Sequence, residues 1–261
     1  MSTVFVTLCD PPYLYRVVQT VKDLRGRGGW KGDIVLIAVD FEPDTSFLET
    51  YNVKTVSFPR FDLTAYLDRI KEKRFSCPTN DGRELTKTTQ WEKLHAFEPY
   101  FSQWDRVVFI DAGLRVLNSI APLLDLEWKE RFLSPDDTYR KSYRFSIALE
   151  LENWPTDLES AIDEFSVDLD GTYFLNCIWV YDTSLAIGVS EFLECLKYPI
   201  WRHNEMGAMN AVLHFQHKLW SPFPIHAATG KYLFEWSESN NPGTKWEDYH
   251  LLKYPSTIGF D

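Results

Sequence analysis

The chain is poor in cysteine, in positive charge, in glycine-rich loops and in long apolar runs, and each shortage removes a class of function. Its four cysteines, Cys9, Cys77, Cys177 and Cys195, form no CxxC pair and no zinc spacing. A disulfide framework and a zinc module are therefore not expected, and the thiols read as reduced, in a cytoplasmic setting. Lys and Arg number 27 against 38 Asp and Glu, for a formal net charge of -11. That balance argues against a nucleic-acid backbone or an anionic membrane as the main partner. No apolar run approaches the ~18 residues of a membrane span, and the opening MSTVFVTLCD lacks the charged and apolar regions of a secretory signal. The one glycine-rich stretch, Arg25 to Gly29, follows a helical pattern instead of opening one, so neither a P-loop nor a dinucleotide motif is present. No nucleophilic serine elbow occurs either.

What remains is an ordinary globular composition, 44% hydrophobic and 25% charged, which excludes disorder and fibrous repeats. Without internal repeats or linker-like stretches, residues 1–261 are expected to form one domain, either alone or as a module of a longer protein. Aromatics are abundant, with 10 Trp, 13 Tyr and 18 Phe. Most are expected in the core, and their flat faces also suit sugars and bases.

Val4 to Leu8 reads as a strand, followed by the turn formers Asp10-Pro11-Pro12 and a helix over Tyr15 to Leu24. Asp33 to Val39 is almost wholly apolar, as a strand covered on both faces must be, and Val53 to Phe58 reads as a third strand. Leu63 to Lys73 has an amphipathic pattern. Trp91, Leu94, Phe97 and Phe101, spaced by three and four, predict a helix over Thr88 to Phe101 that leads into the buried strand Arg106 to Ile110. This alternation predicts an α/β fold with a mainly parallel sheet flanked by helices, whose ligands sit beyond the carboxyl ends of the strands where the strand order reverses. The ends in question are Cys9-Asp10 and Asp111-Ala112-Gly113. The second half is less regular. It has a polar, aromatic stretch from Pro135 to Asp170, a strand over Tyr173 to Tyr181, and helices near Val189 to Leu196 and Glu205 to His214. It is expected to make a smaller antiparallel addition.

The sharpest local signal is Trp104-Asp105-Arg106-Val107-Val108-Phe109-Ile110-Asp111-Ala112-Gly113. An apolar strand ends in a carboxylate and two small residues that let a ligand approach the backbone. Such a carboxylate is costly unless paired, hydrogen-bonded or metal-bound, although it can also cap a turn or a helix. Together with Lys93-Leu94-His95 before it and Asn118-Ser119-Ile120-Ala121-Pro122-Leu123-Leu124 after it, the segment resembles the glycogenin-like glycosyltransferases of family 8. Further landmarks follow that family's order: Val6-Thr7-Leu8-Cys9-Asp10 with Tyr13, Phe174-Leu175-Asn176-Cys177, Glu205-Met206-Gly207-Ala208-Met209-Asn210, and His250-Leu251-Leu252-Lys253.

The resemblance implies the Rossmann-like GT-A fold, with a nucleotide-binding half over about 1–120 and an acceptor-side half over about 121–261. It implies transfer of a hexose, with retention, from a nucleotide diphosphate sugar, UDP first among them, to a hydroxyl of a glycan, glycoprotein or small polyol. Thr7, Leu8, Asp10 and Tyr13 would line the base and ribose, and Lys93 would reach phosphate or sugar. Asp111, with Ala112 and Gly113 beside it, would bind ribose or metal. Asn176 and Glu205 would act at the donor sugar, His250 would complete a Mn²⁺ or Mg²⁺ site with Asp111, and Lys253 would contact the diphosphate. The family's Asp-x-Asp stands here as Asp111-Ala112-Gly113, so one carboxylate ligand is missing. Either Asp111, His250 and diphosphate oxygens hold the metal, or Arg115 replaces its charge. The family's Asp-Gln is Glu205-Met206, and a thioether cannot make an amide's polar contacts. These departures leave an inactive nucleotide-sugar or glycan-binding relative as the alternative. Acceptor contacts are expected from the aromatics of Tyr139 to Trp154 and Trp220 to Trp246.

Overall fold

The structure, a computed structural model, describes residues 1–74, 87–137, 143–149 and 155–255. Cys77 lies outside the described residues, as do 138–142 and 150–154 of the aromatic stretch.

The apolar runs became strands: β1 (Thr3–Cys9), β2 (Asp33–Ala38), β3 (Val53–Val56) and β4 (Arg106–Ile110). β1 pairs in parallel with both β2 and β4, and β2 with β3. Alternate residues of these strands enter different cores. Val4, Val6, Leu8, Val107 and Phe109 face one, while Phe5, Cys9, Val108 and Ile110 face the other. Coverage on both faces explains why the strands read as continuous apolar runs. Helix α1 (Leu14–Arg25) returns the chain from β1 to β2 and buries Val17, Val21 and Leu24. Helices α2 (Thr45–Tyr51) and α3 (Thr64–Arg74) flank β3 in sequence.

After β5 (Arg115–Val116) and α4 (Ala121–Leu124), the sheet continues through β6 (Phe132–Ser134), β7 (Ile178–Asp182) and β8 (Trp220–Pro222). The strand order is β3-β2-β1-β4-β7-β6-β8. β7 runs antiparallel to β4 and to β6, whereas β6 and β8 are parallel. A smaller second sheet joins β5, β10 (Tyr249–Leu252) and β9 (Tyr232–Glu235), with β10 antiparallel to β5 but parallel to β9. The addition is therefore mixed and not purely antiparallel. The polar stretch also holds a helix that the sequence did not betray, α5 (Pro155–Phe165). Helices α6 (Val189–Leu193) and α7 (Glu205–Met209) are short versions of the expected ones, the latter running on as a π-helical segment, Asn210–Gln216.

The expected helix over Thr88 to Phe101 is instead two runs of tight 3-10 turns, Thr88–Phe97 and Pro99–Gln103, broken at the extended Glu98 that precedes Pro99. The reason lies in the spacing. Trp91, Leu94 and Phe97 recur every third residue, and three residues per turn place them in one row. All three are buried. Trp179 of β7 stacks on Phe97 and on Phe109, at 5.1 and 5.0 Å between ring centres, so much of the aromatic content is core. Among the described residues no helix is long and apolar enough to cross a membrane. Cys9, Cys177 and Cys195 are buried and free, and burial, helped by Asp10 at Cys9, pushes the first two thiols up to about 12.

Candidate functional site

The sheet order reverses between β1 and β4: from β1 the chain steps outward through β2 and β3, and β4 lies on β1's other side. The carboxyl ends of those two strands bound the crevice where ligands of open α/β sheets bind. Asp111 directly follows β4, its N–H donating to the Cys177 carbonyl at 2.8 Å. Its carboxylate is held from both sides. Lys93 Nζ lies 3.0 Å from Oδ1 and Lys253 Nζ lies 2.8 Å from Oδ2. Lys93 Nζ also stands 3.0 Å from Glu205 Oε1, an oxygen that accepts from Asn176 Nδ2 at 2.8 Å. Lys93, Asn176, Glu205 and Lys253 are all buried. Five of the expected residues thus form one connected network, which for buried charges is the arrangement that makes burial tolerable.

The electrostatics of the two carboxylates differ. Burial alone would push Asp111 up, but the Lys253 and Lys93 ammoniums override it and hold the acid below the usual carboxylate range. At Glu205 burial wins over Lys93 and Asn176, and the carboxyl is raised. Two acids sharing a lysine while titrating in opposite directions is a pattern common at reactive sites.

The 3-10 run positions Lys93. Next to its apolar row it has a second row, Glu92, His95 and Glu98, in which His95 Nε2 meets Glu92 at 2.9 Å and Nδ1 meets Glu98 at 3.3 Å. Phe58 and Phe61 stack against the same imidazole at 4.7 and 4.0 Å. Arg60 joins Glu92 to Asp40 at the end of β2. The third row carries Gln90 and Lys93, which reach α7: Gln90 Oε1 accepts from Asn204 Nδ2 at 3.1 Å, and Lys93 meets Glu205. Asn204 precedes α7 with φ 54° and ψ −130°, a strained conformation of the kind that persists at functional sites. Gly207 lets this turn close on Trp201, since a Cβ there would stand 2.9 Å from the indole.

Among the buried polar atoms with no hydrogen-bond partner among the described residues, Glu205 Oε2 belongs to the network, Asn204 Oδ1 to the turn before α7, and Thr7 Oγ1 and Asp10 Oδ1 to the end of β1. Unpaired buried acceptors cost roughly 1–3 kcal/mol each, and a polar ligand would satisfy them. Thr7 and Leu8 lie near the end of β1, before Cys9, and the Asp10 carbonyl accepts from the Tyr13 N–H at 3.1 Å across the turn Pro11–Tyr13. Thr89 Oγ1 reaches Asp10 at 3.4 Å, while Tyr13 is exposed. Gly113 adopts φ +85°, and its N–H donates to Thr20 Oγ1 of α1 at 3.0 Å.

Two expected residues lie elsewhere. Arg115 is fully buried beneath α1, where Nε contacts Asp23 Oδ2 at 2.5 Å. The turn at Gly113 redirects the chain, so Arg115 does not stand beside Asp111. His250 is also buried; Nδ1 donates to the Ser119 carbonyl at 2.7 Å and Nε2 accepts from the Thr229 hydroxyl at 2.8 Å. Burial lowers its pKa, which suits this neutral tautomer. His250 lies within β10, whereas Lys253 follows its end and turns its ammonium to Asp111.

No protein-family model and no curated protein sequence matches the chain. Solved structures do match it in shape. The galactosyltransferase LgtC, solved with donor and acceptor sugar analogs, superposes with a TM-score of 0.62 at 11% identity, over 96% of this chain and 86% of its own. Core-mannan synthase A of Aspergillus fumigatus, in a Mn/GDP form, gives 0.58 at 8% identity over 85% and 73%. Mouse xyloside xylosyltransferase 1 gives 0.51 at 8% identity over 97% and 98%. The chain has the GT-A fold.

A divalent metal is compatible with the GT-A fold, as the manganese form of that mannan synthase illustrates. The described residues offer one no ready-made site. Asp111 already receives an ammonium on each oxygen, Gly113 brings no side chain beside it, and both ring nitrogens of His250 are engaged. No group of three or more His, Cys, Asp or Glu among the described residues is placed to hold a metal ion.

Beside the ionic network this GT-A chain has a cavity of about 300 Å³, lined by Asp136, Asp137, Leu175, Tyr232, Glu235 and Trp236 among others. The chain ties the two together. Leu175 precedes Asn176, the Glu235 carbonyl accepts from the Lys253 N–H at 3.1 Å, and the Trp236 ring meets Tyr254 edge-on at 4.9 Å. Trp236 falls in the stretch expected to contact an acceptor. Asp136, Asp137, Arg16, Arg60 and Asn204 were not singled out in the sequence, because none belongs to a motif.

Proposed function

We propose that this chain transfers a sugar from a nucleoside diphosphate donor, a UDP-sugar first, to a hydroxyl of a glycan, glycoconjugate or small polyol. The observation that carries the reading is the buried Lys253–Asp111–Lys93–Glu205–Asn176 network at the switch point of a GT-A sheet. When the bond between the sugar's anomeric carbon and the diphosphate oxygen breaks, its electron pair goes to the diphosphate, and preorganised cations offset that charge. Lys93 and Lys253 are such cations. The acceptor oxygen bonds to the anomeric carbon and its proton passes to a base. Glu205, with its raised pKa and unpartnered Oε2, suits either that proton or the positive charge that grows on the sugar ring. Asn176 fixes the carboxylate's other oxygen. Thr7, Leu8, Asp10 and Tyr13 at the end of β1 receive base and ribose, with the small Ala112 and Gly113 giving the backbone room. Trp236 and the acids of the neighbouring cavity receive the acceptor.

The test is a panel of UDP-, GDP- and dTDP-sugars, followed for hydrolysis and for transfer to mono- and disaccharide acceptors. Turnover of one donor is expected. Tight binding of a donor without hydrolysis or transfer to any acceptor would instead support a non-catalytic sugar-nucleotide binder. Trp236→Ala should raise the acceptor KM roughly tenfold, the loss of one ring-stacking contact, while hydrolysis of the donor in the absence of acceptor is unchanged.

A further inference from the structure

We propose that Arg16, Lys93 and Lys253 form a cationic clamp that binds the donor diphosphate directly, in the place where a metal ion would otherwise bridge protein and phosphates. The proposal rests on the nucleotide-sugar reading above and adds what neutralises the leaving group.

Arg16 is the residue that makes the difference, and it is tied to the missing carboxylate. A Cβ built on Gly113 would stand 3.1 Å from Arg16 Cδ, 3.5 Å from its Cβ and 3.6 Å from its Cγ. The stem of Arg16 therefore covers the space that an Asp at 113 would need. The φ of +85° adds a second barrier to any side chain there. The turn is locked to α1, because Thr20 takes the Gly113 N–H at 3.0 Å and donates to the Leu114 carbonyl at 3.0 Å. Arg16 and Gly113 are thus one unit, with the carboxylate absent and the aliphatic stem of a cationic side chain over its position.

The guanidinium lies beside the tyrosines that follow the end of β1. Its centre is 5.4 Å from the Tyr13 ring and 5.6 Å from the Tyr15 ring, and Nε donates to the Tyr15 hydroxyl at 2.9 Å. Tyr254 lies within electrostatic reach of Arg16, and Lys253 Nζ stands 5.8 Å from the centre of that same ring. Arg16 and Lys253 are therefore both near one tyrosine, and Lys253 leads from it to Asp111 and Lys93. Lys93 and Lys253 face Asp111, and Lys93 also faces Glu205. A guanidinium binds phosphate oxygens through paired N–H donors, and an ammonium binds them as a point charge.

The experiment is calorimetric titration of the intact chain with UDP, GDP and their parent nucleosides, each in EDTA and in excess Mn²⁺, alongside electron paramagnetic resonance of Mn²⁺ added to the protein without nucleotide. One diphosphate should bind with a Kd in EDTA within about twofold of that in Mn²⁺, and the resonance should report Mn²⁺ free in solution. Arg16→Ala should weaken that diphosphate about tenfold or more while leaving its nucleoside unchanged, since a hydrogen bond to a charged group is lost. Arg16→Lys should recover part of the loss, and thermal melts should show both variants folded. Tightening of more than about tenfold by Mn²⁺, or an Arg16→Ala variant that binds like wild type, overturns the clamp and leaves the transferase reading standing. Failure of UDP and GDP to bind under every condition overturns both.

Discussion

Asp111→Asn should lower stability by about 3 kcal/mol and abolish donor turnover. The carboxylate is the common partner of two ammoniums whose side chains are 8% exposed. Removing one member of a buried ion pair leaves uncompensated charge and costs roughly 3–5 kcal/mol. The lower end applies because Asp111 is itself 19% exposed and Lys93 retains Glu205. For a chain of this size that loss corresponds to a melting point lower by roughly 6–12 °C. The pH dependence has a defined sign. Asp111 has a depressed pKa in the folded chain, so its contribution is present above the unfolded value of about 3.9 and disappears as pH falls through the folded one. Urea melts across that acid range should show this limb in wild type and lose it in Asp111→Asn.

Glu205→Gln should move stability and activity in opposite directions. Its carboxyl is raised, so between the unfolded value of about 4.3 and the folded one the native chain binds more protons, and stability falls as pH rises through that window. Above it, wild type carries a buried charge that Gln removes, while the amide oxygen can still accept from Asn176 and Lys93 keeps Asp111. The variant should therefore melt at or above the wild-type temperature at neutral pH. Transfer should fall by about 10²–10⁴, the usual contribution of a positioned acid, base or carboxylate. In wild type the rate should decline as pH drops through Glu205's raised pKa, placing the acid limb above that of an ordinary glutamate. A stabilised but inactive variant would mark Glu205 as a residue held against folding for chemistry.

The legible parts of this molecule share one property, burial on both sides. β1, β2 and β4 announce themselves because coverage by both cores leaves no polar alternation to blur them, and Asp111 stands out because it interrupts such a run. The strands of the second half span three to five residues, too few to show a period of two clearly, and their partners are far off in sequence. The Thr88 segment was misread because a spacing of three belongs to both α and 3-10 helices. Only the second row, Glu92-His95-Glu98, would have separated them, since a strict third-residue repeat drifts around an α-helix. Arg115 was misplaced because counting two residues from Gly113 assumes a regular strand, whereas the positive φ turns the chain beneath α1. Arg16 carries no motif at all. Its relation to Gly113 spans 97 positions of sequence and exists only once α1 packs over the end of β4.

The most direct test of the account is a crystal of this protein soaked with the nucleoside diphosphate that binds best. The diphosphate should lie within hydrogen-bond reach of Lys93 and Lys253 Nζ, with the base beyond the end of β1 near Asp10 and Tyr13. A nucleotide bound away from Asp111, or a crevice that stays without one while the 300 Å³ cavity fills instead, would contradict it.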